Sequence, residues 1–329
     1  MKNILLTFDY ELFLHQSGSL DNCIIKPVNR LIKIFDKLEI KAVFFVDILY
    51  IQKLKEENLV DQTNKIISNI QKLVTKGHQV ELHLHPHWLD AKYNKESKEW
   101  DLRDNTHYRL QSFEQQKIED IFKLGHSLLS SICQEIDPEY RITSFRAGGL
   151  CIQPFDALLP LFKKFNITVD SSVAYGFKSD SKTHFYNFMS APKKELYKFE
   201  SDPLIINEKG AFFELPIFYY KKNIIDKLKE KLQKAPLISD SKFGDGKAVP
   251  PSLNKRPNFL YKFKSDKYMY SLDGSFNEEL LIKKILQNRF EFTTIIAHPK
   301  LLSEKSLVLI KKLKEKQFQF KTINDIVKK

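Results

Sequence analysis

Short apolar runs and longer amphipathic stretches alternate along most of the chain. The apolar runs predict buried strands over residues 4–8, 42–46, 80–82, 142–145, 167–169, 212–217 and 293–297. Apolar residues at helical spacing predict helices over residues 27–38, 60–76, 113–134, 154–165, 224–232, 277–288 and 305–314. This alternation favours a parallel sheet with helical crossovers, either closed into a barrel or open. Since neither a repeat nor a clear linker interrupts it, we expect a single domain over residues 1–329.

Polar residues with chemical potential follow the predicted strands at the points where those strands end. They are Asp9 and Glu11, the histidines from His83 to His87, Arg146, Asp170 and His298. A structural ion pair or a helix cap would explain Arg146 or Asp170 taken alone. In a β/α barrel, however, the carboxyl ends of all strands lie on one face, where active sites are built. The coincidence of five such strand ends therefore favours one shared site.

The densest chemical signal is His83-Leu84-His85-Pro86-His87-Trp88, in which three histidines alternate. Alternate residues of an extended strand share a face, and imidazole is the commonest protein ligand for metals. His83 and His87 still need a carboxylate from elsewhere to complete a site of two histidines and one acid. The segment from Asp9 to Glu11 is the best supplier. A polar surface loop is the alternative, but such clusters usually mark metal or catalytic sites.

Composition and charge limit the remaining possibilities. The formal net charge is +12, which permits an acidic polysaccharide, a phospholipid surface or nucleic acid as partner. A lysine-rich solvated surface is the better explanation, and without a nucleic-acid-binding motif we expect no nucleic acid. Three cysteines without CxxC spacing indicate free thiols in a reducing compartment. No apolar run has the length of a signal peptide or membrane span, so we expect a cytoplasmic protein, with peripheral membrane contact left open.

The strand-end residues resemble the ordered motifs of the polysaccharide deacetylases, also called the NodB-homology or carbohydrate esterase family 4 (CE4) domain. The matching segments, in chain order, are Thr7-Phe8-Asp9, His83 to His87, Arg146, Asp170-Ser171-Ser172 and Ile296-Ala297-His298-Pro299. The resemblance covers the chain from Thr7 to Pro299, and it implies a single, distorted seven-stranded (β/α) barrel. It also implies a metal-dependent hydrolase that removes an N-acetyl group from an amino sugar of a polysaccharide or glycan precursor.

The resemblance assigns a role to each matching residue. Its catalytic residues are Asp9 as base, Arg146 as the partner that holds this base, His298 as general acid, and Asp170 as the support of that acid. The metal, expected to be zinc, would be bound by His83, His87 and a carboxylate. In the commonest family pattern a second aspartate follows the first directly, but here Tyr10 occupies that position, so Glu11 becomes the expected ligand.

Other departures from the family pattern concern the substrate. Gly148 and Gly149 stand where the family usually has Pro-Tyr, and their backbone N–H groups could approach the substrate and its oxyanion closely. His85 could compete with His87 as a ligand or contact the sugar. Trp88 could stack on a sugar ring, although core packing is an equally good explanation for this side chain.

Three further functions stay open at this point. The first is a catalytically inactive glycan-binding module on the same barrel, which Tyr10 and the Gly-Gly replacement favour. The second is the hydrolysis of a non-sugar amide. The third, a nucleic-acid binder, depends on the net charge alone. The retention of Asp9, His83, His87, Arg146 and His298 argues against the inactive module, and the metal-dependent hydrolase is the leading hypothesis.

Overall fold

The computed structural model describes residues 2–181, 183–232, 239, 241–248, 267–274 and 276–327. Its strands are β1 (Asn3–Tyr10), β2 (Val43–Asp47), β3 (Gln79–Leu84), β4 (Lys92–Asn94), β5 (Glu99–Asp101), β6 (Ser144–Ala147), β7 (Val169–Asp170), β8 (Lys178–Asp180), β9 (Phe185–Asn187), β10 (Tyr197–Phe199), β11 (Phe212–Glu214), β12 (Tyr219–Lys221), β13 (Lys267–Met269), β14 (Phe292–Ala297) and β15 (Gln319–Lys321). Its α-helices are α1 (Lys26–Leu38), α2 (Ile48–Glu56), α3 (Val60–Thr75), α4 (Gln115–Gln134), α5 (Leu159–Lys164), α6 (Ile224–Leu232), α7 (Glu278–Gln287), α8 (Glu304–Glu315) and α9 (Ile323–Ile326).

One large sheet carries the fold, in the strand order β10-β11-β7-β6-β3-β2-β1-β14, with β15 also paired to β1. Every pair in this sheet is parallel except β10 with β11. The predicted mixed α/β fold with helical crossovers is therefore confirmed.

The sheet curls into a half-barrel, and the closed seven-stranded barrel expected from the resemblance is not seen in the described residues. Its edge strands, β10 and β14, are not paired with each other there. An antiparallel pair, β12 with β13, lies between the two sides and forms a separate small sheet. Among the described residues, isolated bridges from Ala174 to Ile217 and from Ser271 to Ile296 continue the pairing on either side of it.

The alternation of side chains along β1 explains how the sheet positions polar groups. Ile4, Leu6, Phe8 and Tyr10 belong to the large core that includes the buried faces of the helices, whereas Leu5 belongs to a separate inner core. That inner core also contains Val43, Phe45, Val169, Leu215, Phe292 and Ile323. Because neighbouring strand residues point to opposite faces, Thr7 and Asp9 lie on the same face as Leu5. The first strand therefore directs its polar residues to the inner side of the curled sheet.

Several predicted elements differ in their bounds or content. Residues 90–112, over which no strand or helix is predicted, contain the short antiparallel pair β4 and β5. The helix predicted from residue 154 begins only at Leu159, and residues 174–209, which also have no predicted element, contain β8, β9 and β10. Within the described ranges, none of the helices is long and apolar enough to cross a bilayer.

Candidate active site

Four neighbouring strand ends bring most of the predicted site residues together. Asp9 lies on β1, His83 on β3 and Arg146 on β6, while His298 directly follows β14. The register pairs His83 with Arg146, and β1 pairs with β14 over residues 3–8. Asp9, His83 and Arg146 are almost fully buried, with 4%, 1% and 0% of their surfaces exposed. The parallel strands therefore deliver a base candidate, a ligand candidate and a guanidinium to one buried place.

Arg146 and Asp9 form a buried ion pair, in which Arg146 Nη1 lies 2.5 Å from Asp9 Oδ1. The same guanidinium donates to Thr7 Oγ1 at 3.1 Å and to Ser171 Oγ and the Ser171 carbonyl, both at 2.9 Å. It also lies 4.1 Å from the ring centroid of Phe45. Burial disfavours the Asp9 charge, but Arg146, helped by His83 and His298, lowers the Asp9 pKa below its usual value. Asp9 is therefore held as a carboxylate at neutral pH.

Glu11, His83 and His85 form a compact cluster of possible metal ligands, in which three ligand atoms lie within 4.8 Å of one another. Glu11 Oε2 is 2.5 Å from His85 Nε2 and 3.2 Å from His83 Nε2. His83 Nδ1 lies 2.7 Å from the carbonyl oxygen of Arg146. That carbonyl requires a proton on Nδ1, so a neutral His83 presents a lone pair from Nε2 towards a carboxylate.

Such a lone pair facing a carboxylate needs a proton or a cation between the two acceptors. Two imidazole nitrogens and one carboxylate oxygen are a donor set that suits zinc, with a position left open for water or substrate. The Nδ1 atom of His85 is buried and has no hydrogen-bond partner among the described residues. The residues present therefore fit a divalent metal ion.

His87, expected as a ligand together with His83, does not belong to this cluster. Pro86 begins a short 3₁₀ helix, Pro86–Asp90, so the chain turns directly after His85. His83 and His85 consequently share one face of the extended segment, whereas the His87 ring stacks on Tyr108 at a centroid distance of 5.6 Å. Both ring nitrogens of His87 are buried without a partner in the described part of the chain. The cluster of possible ligands thus contains His83 and His85 but not His87.

Lys300 is a member of the site that sequence reasoning missed. Its Nζ donates to Glu11 Oε1 at 2.8 Å and to the Leu12 carbonyl at 2.5 Å, and the residue is only 4% exposed. The two oxygens of Glu11 thus have different partners, since Oε1 faces the lysine and Oε2 faces the histidines. Burial opposes the Glu11 charge, but Lys300 and His85 hold its pKa well below the usual range. In a lysine-rich chain the only available signal was the position of Lys300, two residues beyond His298.

His298 is oriented by Asp273, which sequence reasoning also missed. His298 Nδ1 lies 2.7 Å from Asp273 Oδ2, and the His298 backbone N–H donates to Asp273 Oδ1 at 2.8 Å. Its Nε2 faces the ligand cluster, 3.6 Å from both Asp9 Oδ2 and Glu11 Oε1. Burial opposes protonation of His298, but Asp273 and the two other carboxylates raise its pKa to about 9. Nε2 of His298 therefore carries a proton at neutral pH.

Asp170, expected to support His298, lies elsewhere. Four strands, β6, β3, β2 and β1, separate β7 from β14 in the sheet, which places Asp170 on the far side of Arg146. Its carboxylate accepts from the Ser172 hydroxyl at 2.7 Å and from the Ser172 backbone N–H at 3.1 Å. Asp170 also lies beside Glu214, its partner in the register of β7 with β11. Burial and the nearby carboxyl of Asp170 raise the pKa of Glu214 well above its usual value. The expected contact between Asp170 and His298 is thus replaced by that between Asp273 and His298.

The residues expected to contact substrate have different surroundings. Trp88 is fully buried, and its indole N–H donates to Asp47 Oδ2 at 2.6 Å, so it packs in the core beside Tyr50. Asp47 Oδ1 also accepts from the His85 backbone N–H at 3.2 Å and thereby fixes the histidine segment. A Cβ on Gly148 would lie 2.4 Å from the Leu84 carbonyl oxygen, so only glycine fits against the end of β3.

Gly149, which follows, has a φ of 59°. A Cβ at this position would lie 2.7 Å from the Tyr108 ring. Gly148 therefore packs closely against the end of β3, and Gly149 packs closely against Tyr108.

Comparison with known proteins finds a distant likeness to solved structures alone. No protein-family model matches the sequence, and no curated protein matches it. The solved structures to which this chain is similar include proteins described as members of the CE4 family. This is the family whose motifs the strand ends resemble.

Three of these structures show how distant the likeness is. A CE4 family pseudoenzyme from Bacillus anthracis is 10% identical at a TM-score of 0.40, and the match covers 98% of this chain and 64% of that one. A peptidoglycan N-acetylglucosamine deacetylase is 11% identical at 0.42, covering 98% and 86%. The peptidoglycan deacetylase PdaC from Bacillus subtilis is 12% identical at 0.37, covering 98% and 88%. This chain thus spans less than two thirds of the pseudoenzyme's length.

Proposed function

We propose that this protein is a metal-dependent hydrolase that removes an N-acetyl group from an amino sugar of a polysaccharide or glycan precursor. The observation that carries the proposal is the buried cluster of Glu11, His83 and His85, which lies beside two groups of opposite protonation state. One is the deprotonated carboxylate of Asp9, and the other is the protonated ring of His298. A metal centre between a base and an acid is an arrangement that suits the hydrolysis of an amide.

A divalent ion, zinc by preference, would be held by Glu11, His83 and His85, with His87 as the alternative third ligand. The chemistry supplied by such an ion, when bound, is polarisation of the acyl carbonyl and a lowered pKa for water. Its immediate neighbours are already ordered, because Arg146 fixes His83 through a carbonyl and Asp47 fixes His85 through its backbone.

The protein groups around the cluster have complementary roles in moving protons. Asp9 is ionised and held by Arg146, so it can accept a proton from the attacking water. His298 is protonated and held by Asp273, so it can give a proton to the departing amine nitrogen. The products would be acetate and a free amino sugar. The Arg146–Asp9 and Asp273–His298 pairs thus divide the work of base and acid.

The position of Tyr10 bears on the alternative of an inactive glycan-binding module. Its side chain is 1% exposed, and its hydroxyl donates to Asn69 Oδ1 at 2.9 Å, on the helix-covered face of β1. Strand alternation places Glu11 on the same side as Asp9 and Tyr10 on the opposite side. Although Tyr10 replaces the usual aspartate, Glu11 still supplies a carboxylate to the site, and this favours the hydrolase.

Cytoplasmic location and a single domain stay predictions, as does the choice of substrate. If the protein is cytoplasmic, a nucleotide- or lipid-linked sugar precursor is a better substrate than finished cell wall. Hydrolysis of a non-sugar amide by the same groups is the remaining alternative.

The metal content of single-histidine variants tests the proposal. We expect the purified chain to contain about one zinc or similar ion, and we expect His83→Ala and His85→Ala to lose it. His87→Ala should retain the ion, since His87 lies outside the cluster. Elemental analysis measures the content, and acetate release from acetylated amino sugars measures the activity.

The matched control is His126→Ala, because His126 lies on α4 and packs against Phe165, away from the strand ends. Loss of metal in the His87 variant together with retention in the His85 variant would exchange their roles. If the wild-type chain takes up no ion even in added zinc, the hydrolase is ruled out in favour of the inactive glycan-binding module.

Lys300→Met is expected to bind zinc at least about tenfold more tightly than the wild-type chain. A lysine cation beside a divalent ion repels it by several kcal/mol even at an effective dielectric constant of about 20. The metal-free variant should lose about 3 kcal/mol of stability, because Glu11 loses its buried partner. Zinc titration against a chelating dye and urea unfolding measure the two effects.

The control is Lys311→Met, at an exposed position on α8. Weaker zinc binding by Lys300→Met would show that the lysine's positioning of Glu11 outweighs its repulsion of the ion.

A further inference from the structure

A cavity lies on the molecule away from the metal-ligand cluster. Its volume is about 680 Å³, within the range of small-molecule sites. Residues 287–290, which precede β14, form part of its lining, whereas His298 follows the other end of that strand. At a strand rise of roughly 3.3 Å per residue, the length of β14 separates the two places by on the order of 20 Å. The cavity is thus a separate place from the candidate active site.

The cavity combines cationic side chains with aromatic ones. Lys193, Lys221 and Arg289 line it, and none of its described lining residues is acidic. All three cations are exposed, and none makes an ion pair with another residue that the structure describes. Three exposed and unpaired positive charges around one concave surface attract an anion.

The aromatic part of the lining offers surfaces for a ring. Tyr175 and Tyr219 are stacked at a centroid distance of 5.9 Å with an angle of 13°, and Phe218 packs against Phe290 at 4.3 Å. Tyr175 and Tyr219 are only partly buried. Partly exposed tyrosine rings present an apolar face and a polar hydroxyl, which suits a sugar ring with its hydroxyl groups. The exposed amide of Gln287, also in the lining, can hydrogen-bond to hydroxyl groups.

We propose that this cavity binds an anionic sugar, that is, a sugar ring that carries a phosphate or carboxylate group. The cations take the anionic group, and the tyrosines and the amide take the ring and its hydroxyls. A neutral sugar would leave the three charges unused, and a bare anion would leave the aromatic wall unused. The site does not depend on the metal cluster, so its occupation can be tested independently of the hydrolase.

Isothermal titration of the purified chain with glucose 1-phosphate, glucuronic acid, methyl glucoside and inorganic phosphate tests this inference. We expect at least one of the two anionic sugars to bind about tenfold more tightly than either the neutral sugar or phosphate. The two anionic ligands decide between a phosphate and a carboxylate. The variant Lys221→Gln/Arg289→Gln should weaken that binding by at least about tenfold. Tyr219→Ala should weaken binding of the sugar but leave that of phosphate unchanged.

The matched control is Lys117→Gln/Lys123→Gln, which removes two exposed charges from α4 outside the cavity. It lowers the net charge by the same amount, so it separates a local site from general attraction to a basic protein. Equal weakening by the control variant, or binding of methyl glucoside as tight as that of the anionic sugars, overturns the proposal. So does the absence of binding by both anionic sugars, or a loss of binding in His83→Ala, which would place the ligand at the metal cluster. Circular dichroism of each variant verifies that the fold is retained.

Discussion

Asp9→Asn is expected to lower the rate of acyl hydrolysis by about a thousandfold while the chain retains its metal, because the amide cannot accept a proton from water. The substitution keeps the size and shape of the side chain. In the wild-type chain the Asp9 carboxylate lies between Arg146 and His298, with Oδ1 paired to the guanidinium and Oδ2 3.6 Å from His298 Nε2. Removal of its charge therefore removes the base without removing any atom of the cluster formed by Glu11, His83 and His85.

Two measurements on the same preparation decide this prediction. Acetate release under single-turnover conditions gives the rate, and elemental analysis gives the metal content. His298→Ala is the companion variant, since it should lower turnover by removing the acid and also leave the metal in place. Loss of metal in Asp9→Asn would make Asp9 a ligand and would overturn the role proposed for Glu11. Full activity in His298→Ala would overturn the role of the acid.

The parts of the site that the sequence predicted are those that local patterns determine. An apolar run that ends in a polar residue fixes both the strand and the end at which the side chain lies. Neighbouring parallel strands then bring Asp9, His83, Arg146 and His298 together, without any knowledge of loops. Glu11, expected as a ligand from the family resemblance, lies two positions after Asp9 and therefore on the same face. These features need only the alternation of a strand and the common direction of parallel strands.

The parts that were missed depend on contacts between distant segments. Asp273 reaches His298 because the chain around it runs beside β14, where Ser271 bridges Ile296. Lys300 is buried and contacts Glu11. In a lysine-rich sequence, no local pattern distinguishes one buried lysine from the exposed ones. The choice between His85 and His87 depends on whether the extended segment ends before or after His85.

Asp170 illustrates the opposite error, in which a correct strand end received the wrong partner. The order of strands in the sheet cannot be read from the order of strands in the chain. β7 pairs with β6 and β11, so Asp170 meets Ser172 and Glu214 rather than His298. The expected closed barrel was missed for the same reason, since the order of pairing cannot be read from the chain. The antiparallel pair of β12 and β13 lies where the barrel would close.

Arg146→Met is expected to lower the free energy of unfolding by about 3–5 kcal/mol, which is the usual effect of removing one partner from a buried ion pair. Methionine fills a similar volume but donates no hydrogen bond, so Asp9, Thr7 and Ser171 would each lose a buried donor. Urea unfolding of the metal-free chain measures the loss. Arg141→Met is the matched control, since Arg141 is exposed and paired with the exposed Glu139. Its expected cost is under about 1 kcal/mol.

The double variant Asp9→Asn/Arg146→Met separates the ion pair from the packing around it. If the two charges chiefly stabilise each other, the double variant should be more stable than the sum of the single losses predicts, because neither charge is then left buried alone. The coupling expected for residues in direct contact is about 1–3 kcal/mol. Additive losses would mean that Arg146 acts mainly through Thr7, Ser171 and the Phe45 ring, and that it holds the strands together rather than holding the base. In that case Asp9 would keep its charge without its arginine, and the activity of Arg146→Met should fall less than that of Asp9→Asn.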